Sequence, residues 1–114
     1  MSMKRGEVYR VRPDPAIGHE QQKTGPCVIV SVDPVNDNSP LVVVCPVTEG
    51  VKLTATILHI PLAKGEGGTT KDSKVLCNQV KAVDKVRLME RTGSLKPETM
   101  AAIDRGLRAL LSLY

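Results

Sequence analysis

The sequence predicts a mainly β protein: five or six short strands bent into a small barrel, followed by one C-terminal helix. Three observations lead there. Alternating or continuous β-branched runs, separated by clusters of Pro, Gly, Asn and Ser, fill residues 7–92. The apolar period then lengthens after Pro97 to helical spacing. Finally, 114 residues make a single domain, 1–114, long enough to bury a core without disulfide or metal staples. Aromatic residues are only 2% (Tyr9 and Tyr114), so that core must be aliphatic.

Residues 7–12 alternate, with Tyr9 and Val11 on one face and Arg10 and Arg12 on the other. Pro13, Pro15 and Gly18 end this strand and open a polar loop through Gly25. Residues 27–32 and 41–47 are continuous aliphatic runs, expected of strands buried on both faces. Between them, residues 33–40 are dense in turn formers. Residues 54–61 alternate again, and the three-glycine segment 63–71 reads as a flexible loop. Residues 74–83 predict a strand broken near Asn78-Gln79, and 87–92 a last strand closed by Gly93. From Pro97, Met100, Ile103, Leu107, Leu110 and Leu111 trace a helical stripe. Gly106 reads as a mild weakness in that helix, about 1 kcal/mol against Ala.

Composition narrows the function. The net charge of +4 lies in the second half, because residues 1–57 hold equal numbers of basic and acidic side chains. A mild basic bias admits a phosphate-bearing partner. The scarcity of aromatics argues against stacking several bases on aromatic platforms. Cys27, Cys45 and Cys77 form no CxxC pair and sit among aliphatics, so all three read as small buried hydrophobes of a reducing compartment. No signal-like or membrane-length apolar run exists, which predicts a soluble, cytoplasmic protein. His19 and His59 are far apart, with His59 read as structural. No HExxH, phosphate-binding glycine loop or Ser-His-Asp elbow is present. No metal or nucleotide cofactor is expected.

The loop 17–26 is longer and more polar than a simple strand connection needs, and long loops on rigid barrels often carry function. Here the chain resembles a known family. The likeness is carried by Lys4-Arg-Gly-Glu-Val-Tyr9, Gly18-His-Glu-Gln21, Pro26-Cys-Val-Ile-Val-Ser31, Cys45-Pro-Val-Thr48, Asp72-Ser-Lys-Val-Leu-Cys-Asn-Gln-Val-Lys81 and Asp84-Lys-Val-Arg-Leu88, in order over nearly the whole chain. These segments are similar to the MazF/PemK toxin endoribonucleases of type II toxin–antitoxin systems.

The resemblance implies an SH3-like barrel with a C-terminal helix, the CcdB/PemK-like toxin fold, assembled as a homodimer. It implies sequence-specific, metal-independent cleavage of single-stranded RNA, in which the ribose 2′-hydroxyl attacks the adjacent phosphodiester and leaves 2′,3′-cyclic phosphate and 5′-hydroxyl ends. It also implies a small MazE-like antitoxin whose disordered tail fills the RNA groove, in a complex that can bind operator DNA. The reaction needs a base, donors for the growing phosphoryl charge, and an acid for the leaving oxygen.

The family places an Arg before the Pro of the second strand, paired with a Thr or Ser at the end of the third. Thr48 holds the second position, but Gly25 stands in the first. Losing one such donor typically costs about 10²–10³ in rate, so an impaired enzyme is expected, unless Lys23 or His19 supplies the charge. Glu20 is the nearest candidate base, with His19 competing. His19, Glu20, Gln21, Lys23, Asn78, Gln79 and Lys81 are the expected RNA-binding residues; Lys85 and Arg87 are further phosphate contacts or merely solubilising. Two alternatives follow from the same residues: a non-catalytic antitoxin- and operator-binding protein, which Gly25 favours, and a gyrase-poisoning toxin of the CcdB type, which Thr48 and the Gly-His-Glu-Gln loop disfavour.

Overall fold

The computed structural model describes residues 2–13 and 24–114. The strands are β1 (Glu7–Val11), β2 (Gly25–Ile29), β3 (Leu41–Glu49), β4 (His59–Leu62), β5 (Ser73–Leu76), β6 (Lys81–Asp84) and β7 (Leu88–Ser94), with helices α1 (Asp33–Asn38) and α2 (Pro97–Leu111). They form one antiparallel sheet ordered β4-β5-β3-β2-β1-β7, with β6 also paired to β3. The nine-residue β3 is the spine. One edge pairs with β2 through Val44–Pro46; the other is shared, Leu41–Val44 binding β6 and Val47–Glu49 binding β5. Sharing one strand between two partners is how so short a chain bends its sheet.

The continuous aliphatic runs are explained by two cores, one on each face. Val8, Val28, Cys45 and Val47 point to the first, joined by Ile60, Leu62, Val75, Cys77, Leu95 and Ile103 of α2. Tyr9, Val11, Cys27, Ile29, Val42, Val44 and Val83 form the second. Because successive strand residues point to opposite faces, β1, β2 and β3 supply both cores at once. All three cysteines are free and buried, as their aliphatic surroundings predict.

Several local expectations are corrected. The second strand begins at Gly25 and ends at Ile29, and β3 runs on to Glu49. Residues 33–38 are helical rather than a turn, because Asp33 and Pro34 also suit a first helical turn. Buried Asn36 latches this helix, its Nδ2 donating to the Ser31 carbonyl at 2.9 Å while Ser31 Oγ meets its Oδ1. Of the expected strand 54–61 only the end forms, as His59–Leu62, one residue further on, while Ile57 stays exposed.

The glycine segment is a packed turn rather than a flexible loop. Gly68 has φ +79°, and a Cβ there would stand 2.2 Å from the Thr92 carbonyl oxygen. Gly93 likewise does not close β7 but lies inside it. In α2, Gly106 is more than a weak propensity: a Cβ would lie 2.6 Å from the Ile57 oxygen and 3.2 Å from Cys77 Sγ. Glu66 ties this turn to the start of α2, accepting from Lys96 N at 3.1 Å and Thr99 Oγ1 at 2.6 Å. No described helix is long and apolar enough to cross a membrane.

Candidate functional site

Position 25 opens β2, where Val11 of β1 pairs with Gly25 and Arg10 with Pro26. On the other edge the β2–β3 ladder ends at the pair Cys27–Pro46, two residues from Gly25 on one strand and two from Thr48 on the other. Gly25 is the first residue of β2 and half-buried. Strand alternation directs a side chain at this position to the face of Val11 and Cys27. Thr48 is half-buried and pairs on its far side with Lys74.

Gly25 and Pro26 wall two clefts. The first, about 390 Å³, is lined also by Arg10, Thr24, Glu49, Thr69, Thr70, Glu90 and Thr92, with Gly67 and Gly68 in its floor. Arg10 Nε stands 3.4 Å from Glu90 Oε1, an exposed pair worth little to stability. The second, about 130 Å³, is lined by Val11, Arg12, Pro13, Cys27, Pro46, Val47, Lys81 and Arg87. Burial pushes the Cys27 thiol up, and the positive charges of Lys81 and Arg87 draw it part of the way back.

Beside the clefts, Glu7 anchors the start of β1. Its carboxylate accepts from Lys4 N at 2.7 Å, Arg91 Nη1 at 2.8 Å and Tyr9 Oη at 3.3 Å. Burial raises its pKa, but these hydrogen bonds and the Arg91 charge outweigh burial and leave it below the ordinary carboxylate value. The Tyr9 hydroxyl is pushed up by its own burial and by the Glu7 charge.

The expected site residues divide three ways. Gly25 lies in the wall of both clefts and Lys81 in the second, while Thr48 lines neither. Asn78 and Gln79 are exposed on the 3₁₀ turn Cys77–Gln79 and line neither cleft. His19, Glu20, Gln21 and Lys23 lie outside the described residues. The sequence reading missed Arg10, Glu49 and Glu90 of the first cleft and Arg12 of the second. Arg10 and Arg12 were legible as the polar face of β1, but only tertiary pairing shows what they face.

Residues 4–111 match the family of PemK-like, MazF-like toxins of type II toxin–antitoxin systems. The chain is 33% identical over 111 residues to the endoribonuclease MazF of Staphylococcus epidermidis, covering 97% of this chain and 92% of that one. It is 30% identical over 113 residues to the endoribonuclease EndoA of Bacillus subtilis, covering 99% and 97%. Among solved structures, a MazE–MazF complex from Deinococcus radiodurans superposes with a TM-score of 0.82 at 22% identity, over 100% of this chain and 99% of that one. A mycobacterial endoribonuclease in complex with its cognate antitoxin gives 0.75 at 24%, over 99% and 96%. The predicted fold class, mainly antiparallel β with a C-terminal helix, is the one these structures share.

Proposed function

Because the chain belongs to the MazF/PemK family of endoribonuclease toxins of type II toxin–antitoxin systems, we propose that it cleaves single-stranded RNA through its own 2′-hydroxyl. In this reading the 2′-oxygen attacks the neighbouring phosphorus, the 5′-oxygen leaves, and the products carry 2′,3′-cyclic phosphate and 5′-hydroxyl ends. The ribose supplies the nucleophile, so the protein's tasks are proton transfer and stabilisation of phosphoryl charge, and no metal is required. Thr48 Oγ1 donates to the phosphoryl group, and Glu20, with His19 in competition, takes the 2′-proton. Gln21, Lys23, Asn78 and Gln79 contact bases and backbone. The functional unit is a homodimer, inhibited by a small MazE-like antitoxin in a complex that also binds operator DNA.

The observation that carries the finer reading is the position of Gly25. It stands in the wall shared by the two clefts, and in this reading the side chain that would grip the phosphoryl oxygens is missing there. The enzyme is therefore impaired, binding RNA better than it cleaves it. An assay on a long single-stranded RNA in EDTA tests this by comparing the chain with Gly25→Arg. Cleavage about 10²–10³-fold faster by the Arg form, with cyclic-phosphate ends, is expected. Equal rates would overturn the assignment of Gly25 and pass the charge to Lys23 or His19. Silence from both would favour the non-catalytic antitoxin-binding protein.

A further inference from the structure

We propose that Cys45 and Cys77 are an oxidation site, at which a peroxide converts the two thiols into an intramolecular disulfide. The link ties the turn that carries Asn78 and Gln79 to β3, and Cys27 stays a free thiol. Neither Cys45 nor Cys77 lines the two clefts, so the site stands outside the RNA-cleaving reading.

Two antiparallel strands bring the sulfurs together. Val47 of β3 pairs with Val75 of β5. Cys45 precedes Val47 by two residues and Cys77 follows Val75 by two, so both lie toward the same end of the ladder. All four side chains lie in the first core, and both cysteines are fully buried. Cys77 opens the 3₁₀ turn Cys77–Gln79, and its N donates to the Leu58 oxygen at 2.9 Å. The two thiols share a hydrogen bond, Cys45 donating to Cys77. Cys27 belongs to the second core, which holds no other cysteine.

Reactivity follows from the same contact. The hydrogen bond from Cys45 holds the Cys77 thiol below its ordinary value, against the opposing effect of burial. That bond and burial together push the Cys45 thiol up, so Cys45 keeps its proton. Cys77 is therefore the attacking thiolate. Its sulfur bonds to one peroxide oxygen, the O–O bond breaks, and the departing hydroxide takes up the Cys77 proton as water. The Cys45 sulfur then displaces hydroxide from the Cys77 sulfenic acid, and that hydroxide takes the Cys45 proton as a second water. Two thiols are oxidised and one peroxide is reduced.

The way in lies beside α2. A Cβ on Gly106 would stand 3.2 Å from Cys77 Sγ and 2.6 Å from the Ile57 oxygen, so backbone of residues 57 and 106 covers the sulfur there. Residues 52–57 are exposed and belong to no helix or strand. Local opening of this segment uncovers Cys77 and leaves the sheet intact. Transient links of this kind are the usual form of a disulfide in a reducing compartment.

The test treats the folded, reduced chain with hydrogen peroxide, alkylates the remaining thiols in denaturant, and maps the peptides by mass spectrometry. Before alkylation the product should be about 2 Da lighter. It should link Cys45 to Cys77, carry its one alkylated thiol at Cys27, and return to three thiols with dithiothreitol. It should melt above the reduced chain, and hydrogen exchange at Asn78 and Gln79 should slow. Cys45→Ala should lose the link and accumulate sulfinic acid at Cys77 instead. Three unreacted thiols in the folded wild-type chain, a link through Cys27 or between two chains, or oxidation of Cys27 ahead of Cys77 would overturn the site. A linked chain that melts no higher than the reduced one would overturn the tie to β3. The wild-type peptide map decides the site however the Cys45 variant folds.

Discussion

The two clefts share the Gly25–Pro26 wall yet treat charge in opposite ways. In the first, Arg10 faces Glu90 across the β1–β7 edge, and Thr24, Thr69, Thr70 and Thr92 line the same cleft. In the second, Arg12, Lys81 and Arg87 converge without a carboxylate among the described lining. Arg10 spends its charge on Glu90, whereas the Arg12 guanidinium reaches the Val86 carbonyl oxygen. The difference of a single strand position thus separates an ion pair from a backbone clasp.

The largest expected effect breaks the comparison at the shared wall. Gly25→Arg directs a guanidinium into the second cleft and should raise cleavage by about 10²–10³-fold, measured as initial rates on a labelled RNA. Adding Thr48→Ala to that variant should remove most of the gain, which would tie the two positions to one step. If Thr48→Ala leaves the gain intact, the two are not a catalytic unit.

The next effect falls on the floor of the first cleft. Gly68→Ala forces a Cβ onto the Thr92 carbonyl from a left-handed backbone, and should cost about 1–3 kcal/mol by denaturant unfolding. Loss of stability without loss of RNA binding would show that the first cleft serves the fold. A parallel loss of binding would show that both clefts touch RNA.

A smaller effect concerns acid. The Glu7 carboxylate has a lowered pKa in the folded chain, so its contribution is complete above the unfolded carboxylate value. It is lost as pH falls through the lower, folded value. The melting temperature should therefore drop on the acid side, and Glu7→Gln should flatten that limb. An unchanged acid limb in Glu7→Gln would show that the three hydrogen bonds to Glu7 carry no pH-dependent stability.

The smallest effect is Arg10→Gln, which removes only the exposed Arg10–Glu90 pair and should change stability by less than about 1 kcal/mol. It should also leave the salt slope of RNA binding alone. A flattened slope would put Arg10 on the RNA and erase the distinction between the clefts.

Much of the fold was legible because it follows from local pattern. The helix beginning at Pro97 and the break between β5 and β6 at Asn78-Gln79 came from spacing and breakers alone. The β-branched runs implied strands buried on both faces, and the two cores are that. The failures share one cause. Residues 33–38 are a six-residue helix too short to show a period. Gly67, Gly68, Gly93 and Gly106 read as flexibility, a strand end and a helix weakness, although each is a close approach to a segment distant in sequence.

The sequence by itself thus determined the aliphatic two-faced strands and the amphipathic helix, since each is a property of neighbouring residues. Which charges meet was decided only by the tertiary structure. Residues 12 and 87 come together through β1–β7 pairing, and residue 81 joins them through β3–β6 pairing. Electrostatic energy depends on distance in space rather than along the chain. Three cations scattered over the sequence therefore line one cleft only when the bent sheet brings them together.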